Sequence, residues 1–445
     1  MGTTISNKRI WRIAYPIILG SIAQNFINVT DTAFLGRLGE VELGAAAIGG
    51  IFYLAIVMFG YGLGIGTQII VARREGEGRQ RSIGRVMEHS FIILIFLALA
   101  MFVMMKLFSP GFFSVIISSE KVYIASNDFI QLRAWGVFFA FINMGFNALY
   151  IGTARTGIIT WSTLLMACIN IFLDYVLIFG KLGFPEYGIK GAAIASFCAE
   201  ISVSIFLFIY TFGYTDLKRY RLFYFQKINI NIWIRIIRIS LPVMLQNFLS
   251  FGVWFVFFVF VEQMGETSLA VSNIIRSVYV IMMVPIWGFA SASNTLVSYL
   301  IGRGRDMEVL PLIFKTAWLC FLMVMAFVSL IILMPDQIIR VYTTDADLVA
   351  ASLPVLNVVS GAVLCFAFAM VFFYGLSGTG VTQATLVIEL LVVTVYLFVA
   401  YLLTNVYELS VSWVWTVEFL YASGLFILSF LYLRYGNWRV RSGWV

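Results

Sequence analysis

Seven polar side chains stand inside otherwise apolar stretches of this chain, and their spacing brings them together in groups. Gln24, Asn28 and Asp31, in "QNFINVTDTAFLG", are spaced i, i+4, i+7 and so share one face of a helix. Asn170 and Asp174, in "NIFLD", are again four apart, as are Asn143 and Asn147. An ionised carboxylate at the centre of a bilayer-spanning helix costs about 2.5–3.5 kcal/mol. In lipid such groups turn inward and find one another or water. Two carboxylates and several amides collected in a low-dielectric site compete for charge, which suits the site to taking up a proton or a small cation. The competing reading is an inert hydrogen-bonded network that joins helices.

That reading requires the surrounding segments to be membrane spans. The chain has 445 residues, of which 61% are hydrophobic and only 11% charged, with a mean hydropathy of +0.96. Soluble chains are nearer 45–50% apolar and about 25% charged. A hydrocarbon core needs roughly 20 helical residues to cross, and twelve runs of that size are expected, at 12-35, 47-71, 87-108, 127-152, 158-180, 189-212, 236-261, 272-300, 312-334, 350-374, 381-403 and 411-433. The runs are continuous rather than alternating, which excludes a β-barrel. The first run leads directly into polar groups with no small-residue cleavage pattern before it, so it is expected to be retained.

Basic residues give the orientation. "ARREGEGRQRSIGR" follows span two, "DLKRYRLFYFQK" span six and "GRGRD" span eight, and Arg434, Arg439 and Arg441 close the chain. With Lys8, Arg9 and Arg12 inside, both termini are expected to be cytoplasmic in a multi-pass plasma (inner) membrane protein. The formal charge of +7 is then a topology signal and calls for no nucleic-acid partner. Cys168, Cys198, Cys320 and Cys365 lie inside spans at no metal-ligand or disulfide spacing and read as small packing residues. His89, the only histidine, reads as a solvated helix-end residue beside Glu88.

Sliding the chain on itself by 226 residues places Pro16 on Pro242, Gly39-Glu40 on Gly265-Glu266, Gly62 on Gly288 and "GEGR" on "GRGR". Six spans per copy is an even number, so the copies enter the membrane in the same sense. Parallel repeats of this kind are a transporter architecture with the substrate path near mid-membrane. The expected organisation is a first six-helix lobe over 1-212, a cytoplasmic linker over 213-232 and a second lobe over 233-445. The repeat is also an internal control. Asp31 falls on Phe257, Gln24 on Ser250 and Asn28 on Trp254, while Asn170 and Asp174, after small gaps that bring the displacement to 223, fall on Val393 and Leu397. The aspartates belong to the first lobe alone, which favours function over an inert network.

Other polar signals carry less. "GYGLGIGTQ" from Gly60 looks like a phosphate loop but lies within a span, where its glycines fit close helix packing. Glu200, Glu389 and Glu418 lie in spans with no spacing that links them, and Arg133 and Arg276 lie near span ends, where snorkelling suffices. Pro16 marks a kink or hinge in span one.

With "TDTAFLGRLG" in span one, "NIFLDYVLIFG" in span five, "GIKGAAIAS" opening span six and "GRGR" after span eight, the chain resembles the multidrug and toxin extrusion (MATE) family over nearly its whole length. Its two first-lobe aspartates resemble the DinF-like branch. The resemblance implies an all-α fold of twelve transmembrane helices in two pseudo-symmetric six-helix bundles. It also implies Asp31 and Asp174 as proton- or sodium-coupling carboxylates, with Gln24, Asn170 and Ser196 as their partners. Ser196 stands where relatives have a threonine, keeping the hydroxyl. Asn28, Asn143 and Asn147 would line the drug path, and Pro16 would be the bend of helix one.

The expectation is therefore a secondary active antiporter and not an enzyme, exporting amphipathic, often cationic, organic compounds in exchange for H+ or Na+. No cofactor is called for, the only metal contemplated is Na+ at Asp31 and Asp174, and one chain supplies both lobes, so a monomer suffices. The alternative within the same superfamily is a lipid-linked oligosaccharide flippase, which needs arginines along the central path for a diphosphate, and the spans offer few. An intramembrane enzyme would need "DDxxD", "HExxH" or a Ser/His set, and none occurs.

Overall fold

A computed structural model of the chain describes residues 5–225 and 227–441 and is helical throughout, with no strand among the described residues. The first half of the chain forms α1 (Asn7–Leu38), α2 (Glu40–Gly76), α3 (Arg81–Ile116), α4 (Glu120–Arg133), α5 (Gly136–Gly152), α6 (Gly157–Ile178), α7 (Ile189–Tyr214) and the single turn α8 (Leu217–Tyr220). The second half forms α9 (Ile230–Gln263), α10 (Glu266–Gly302), α11 (Val309–Leu333), the short α12 (Pro335–Arg340) and α13 (Ala346–Gly378). It continues with α14 (Thr382–Tyr401), α15 (Val411–Val414), α16 (Val417–Tyr435) and α17 (Trp438–Arg441).

Among the described residues, eleven helices are long and apolar enough to cross a membrane, and α4 with α5 makes a twelfth span bent by 49°. Each expected span coincides with one of these. Several helices outrun the apolar run that predicts them: α2 and α10 have 37 residues each, because their polar ends continue the hydrogen-bond ladder past the apolar stretch. The turn from α1 to α2 is made at Gly39 (φ 155°) and its repeat mate from α9 to α10 at Gly265 (φ 105°), backbone conformations that glycine adopts without Cβ strain. A glutamate follows each glycine and opens the next helix, complementing the positive end of the helix dipole.

The chain separates into two compact units, one of Leu19–Met244 and one of Met1–Ile18 with Leu245–Val445. The division falls within α1 and α9, two residues after Pro16 and two after Pro242. In the unit of Leu19–Met244, the first half of α9 lies against the glycines of α2. A Cβ on Gly62 would overlap the backbone of Met244, and one on Gly66 would overlap Ser240. In the other unit the first half of α1 lies against α10, where Gly288 leaves room for Ala14 and Ile18. There Trp11 meets Phe289 edge-on at 5.1 Å, Arg9 covers the Tyr299 ring at 4.2 Å, and Lys315 Nζ donates to the Ile5 carbonyl at 2.8 Å. The "GYGLGIGTQ" stretch is thus a packing surface on α2, with Gly60 under Phe141 and Gly64 beside Met144.

His89 is not solvated. It is buried at 1% exposure, its Nδ1 donates to the Arg85 carbonyl at 2.7 Å, and its Nε2 accepts the backbone N–H of Asn229 at 2.9 Å. Glu88 Oε1 accepts the N–H of Phe225 at 2.9 Å. The polar segment after α8 folds back on the end of α3 because these two side chains satisfy backbone donors that no helix satisfies.

Candidate functional site

In the unit of Leu19–Met244, α1 carries Asp31 and α6 carries Asn170 and Asp174 one helical turn apart. The spacing read from the sequence brings the two aspartates together: the carboxyl of Asp31 is adjacent to that of Asp174, placed to share one hydrogen bond when one of them holds a proton. Asp174 is fully buried and Asn170 nearly so. Neither oxygen of Asp174 receives a protein donor, nor does Asp31 Oδ1 or Asn170 Oδ1. Buried acceptors left without donors cost about 1–3 kcal/mol each. Four such oxygens on three neighbouring side chains make a cluster of hard acceptors, the chemistry that suits a proton or a small cation.

Around this pair, Asn170 Nδ2 reaches Ser196 Oγ of α7 at 3.4 Å, a long contact that ties the two helices. Gln24 is half-buried and Asn28 exposed. Asn143 is buried and its amide is engaged in helix packing: Nδ2 donates to the Glu200 carbonyl at 3.1 Å and Oδ1 accepts from Ser204 Oγ at 2.8 Å. Asn147 is half-buried, with its Oδ1 shielded and unpaired. Pro16 lies inside α1 and in the other compact unit.

Two groups escape a reading by spacing. Arg133, expected to snorkel, instead forks onto Glu200 of α7, with Nη1 to Oε2 at 2.8 Å and Nη2 to Oε1 at 2.6 Å. Its guanidinium stacks on the Tyr53 ring at 3.9 Å, and the Tyr53 hydroxyl donates to Glu200 at 3.3 Å. The other unit buries its own carboxylates. Glu418 accepts from the hydroxyls of Tyr279 at 3.3 Å and Tyr396 at 3.0 Å. Glu389 Oε1 accepts from Ser250 and Tyr421, each at 2.6 Å. Partners in these sets lie 22 to 147 residues apart, so only a side-chain census of whole spans, matching each buried acid with a buried donor, would have paired them.

The family model MatE matches the chain twice, at residues 16–176 and 242–402, the same 226-residue displacement as the internal repeat. A probable multidrug resistance protein NorM of Thermotoga maritima is 25% identical over 445 residues, covering 98% of this chain and 94% of its own. Another of that name from Synechocystis is 26% identical, covering 77% and 74%. Among solved structures, a MATE transporter in the straight conformation superposes with a TM-score of 0.88 at 22% identity, covering 98% of this chain and 96% of that one. A MOP superfamily transporter from Pyrococcus furiosus superposes with a TM-score of 0.87 at 21% identity over the same shares.

Proposed function

Because this chain belongs to the MatE family, we propose that it is a multidrug efflux antiporter that moves amphipathic, often cationic, organic compounds out of the cell in exchange for an inward H+ or Na+. The names borne by its relatives support the export of multiple drugs. The ion coupling rests on one observation, the juxtaposed carboxyls of Asp31 and Asp174 with no donor on the oxygens of Asp174. In this reading a proton or sodium ion arriving from outside binds between the two aspartates, with Asn170, Gln24 and Ser196 completing the site. Binding draws α1 and α6 together, changes the wall to which Asn28, Asn143 and Asn147 belong, and displaces the drug. A ligand shifts a conformational equilibrium only by its differential affinity for the two states. A cation that neutralises two opposed carboxylates has a large differential.

Pro16 lacks the N–H that would continue the α1 ladder and serves as the bend about which α1 moves. The protein works as a monomer in the inner membrane with both termini cytoplasmic. Its functional lobes are residues 1-212 and 233-445, joined by the 213-232 linker.

The test is efflux of a fluorescent cationic dye from proteoliposomes under an imposed proton or sodium gradient, with Asp31→Asn and Asp174→Asn alongside the natural chain. Dye movement that follows one gradient and is lost in both variants establishes the exchange and names its ion. Movement indifferent to both gradients, or unchanged in the variants, makes the aspartates structural and overturns the coupling.

A further inference from the structure

The segment from Tyr214 to Ile230, "YTDLKRYRLFYFQKINI", is basic and aromatic at once. A basic loop between spans is ordinarily solvated, but this one lies as a strap against the ends of α2, α3 and α7, all within the unit of Leu19–Met244. Arg219 Nε donates to Gln80 Oε1 at 2.7 Å, and its Nη2 stands 3.5 Å from Glu75. Gly84 of α3 has no side chain in the way of the Tyr220 and Arg221 carbonyls. Farther along α3, Glu88 accepts the Phe225 N–H and His89 the Asn229 N–H, each at 2.9 Å. The contacts thus descend α3 from Gly84 to His89, about 7 Å of helix. On α7, the Phe223 ring stacks on Phe212 at 5.0 Å and nears Phe208 at 6.2 Å. The apolar run of α3 begins at 87 and that of α7 ends at 212, so the strap lies at the level where hydrocarbon gives way to headgroups. Backbone donors near that depth need protein partners, and Glu88 and His89 supply them.

The backbone sorts the side chains of the strap between its two faces. Arg221, Phe223 and Phe225 are left-handed, with φ of 50°, 60° and 44°. Tyr220 and Leu222 are buried, whereas Tyr224, Phe225 and Ile228 are exposed, Phe225 at 79%. Lys218, Arg221 and Lys227 are exposed among them, and none of the three has a carboxylate within ion-pair distance.

The turns after α2 and α10 show what a basic turn looks like when it serves only as a topology signal. Arg74 and Arg79 are tied to Glu77, and Arg305 to Glu308, each an acid of its own turn. Neither turn, over 76–82 or 302–308, contains an aromatic residue. The strap differs in both respects. Its cations have no acid to neutralise them, and its exposed aromatics stand at the depth where aromatic rings gather in membrane proteins.

We propose that the strap is an interfacial anchor for anionic phospholipid. Lys218, Arg221 and Lys227 bind the headgroup phosphates of the leaflet beside them, and Tyr224, Phe225 and Ile228 seat at the boundary with the acyl chains. Basic residues held at a leaflet surface are attracted to anionic lipid and lose that attraction beyond a Debye length. In the orientation proposed above this leaflet is the cytoplasmic one. The anchor itself needs neither that orientation nor the transport reading.

The experiment is amide hydrogen exchange of the full chain in nanodiscs of phosphatidylcholine alone and of phosphatidylcholine with phosphatidylglycerol in equal parts. Both faces of a disc carry the same lipid, so the outcome does not depend on which way the chain faces. Exchange over 216–229 is expected to be several-fold slower in the anionic discs, and the slowing is expected to vanish at about 1 M salt, where screening acts within about 3 Å. The turns at 77–80 and 303–305 report any change in surface pH and are expected to respond little. Lys218→Gln with Arg221→Gln and Lys227→Gln, all at exposed positions, is expected to exchange alike in both lipids. Tyr224→Ser with Phe225→Ser is expected to exchange faster than the natural chain in both.

Equal exchange of the natural strap in the two lipids overturns the proposal, as does a folded triple variant that still responds to phosphatidylglycerol. Should the triple variant not fold, slowing of the natural strap that survives the salt overturns it equally. Millimolar inorganic phosphate that reproduces the slowing in phosphatidylcholine discs makes this a site for a soluble anion, and slowing that follows the number of chains per disc makes it an interface between copies. Either result overturns the lipid assignment.

Discussion

Asp31 of α1 and Asp174 of α6 lie carboxyl to carboxyl, and no protein donor reaches either oxygen of Asp174. Two like charges in contact are tolerable in a membrane interior only when something positive joins them. Replacing either by asparagine removes that conflict without changing the side-chain volume. Asp174→Asn is therefore expected to fold and to melt no lower than the natural chain, while losing gradient-driven dye efflux. Melting in detergent and transport in liposomes, read on one preparation, separate this outcome from a structural role, in which stability and transport fall together.

The buried acids of the other unit give a contrasting expectation. Glu389 uses one oxygen to accept from Ser250 and Tyr421, and a glutamine keeps that oxygen and both bonds. Glu389→Gln is expected to change stability by less than about 1 kcal/mol and to retain gradient-driven efflux. Loss of coupling in this variant, with the fold intact, would move the ion site out of the unit that holds the aspartates.

Hydropathy made the twelve spans legible because a helix in lipid needs a long apolar run and little else. The repeat was legible because Gly39 with Gly265 and Pro16 with Pro242 recur in one register. Asp31 and Asp174 stood out as charges in apolar helices, and their spacing from Asn28 and Asn170 gave the face. Arg133 and Glu200 did not stand out as a pair, because they are 67 residues apart on different helices and each looks peripheral by its place in its own span. The burial of His89 is hidden for a related reason: its place at a helix end says nothing about the segment that folds back over it 140 residues later. The division of the compact units inside α1 and α9 likewise depends on which helices exchange contacts, a property of packing that no local window carries.

The close approach of α9 to α2 depends on Gly62, where a Cβ would overlap the Met244 backbone, which has no rotamer to yield with. Gly62→Val is expected to cost about 1–3 kcal/mol by overpacking, seen as a lower melting temperature. Gly50 lies on the same helix with nothing within 4 Å of the added carbon. Gly50→Ala is expected to be neutral or stabilising by up to about 1 kcal/mol. Equal effects at the two glycines would mean that this helix crossing is not where the unit is held.

The hydrogen bonds of His89 fix its chemical form as well as its place. Because Nδ1 donates to the Arg85 carbonyl, Nε2 must be the unprotonated nitrogen that accepts the Asn229 N–H. The Asn229 N–H therefore depends on this one ring nitrogen for its partner. His89→Ala removes the acceptor at every pH and leaves a buried N–H unpaired, a local cost of about 1–3 kcal/mol. Limited proteolysis reads this directly, since the linker has Arg221 and Lys227 as trypsin sites. His89→Ala is expected to be cleaved there several-fold faster than the natural chain. Glu88 also faces this segment, through the Phe225 N–H, so Glu88→Gln, whose amide oxygen keeps that bond, is the control and is expected to be cleaved at the natural rate. If His89→Ala is cleaved no faster than the natural chain, the histidine does not hold the linker.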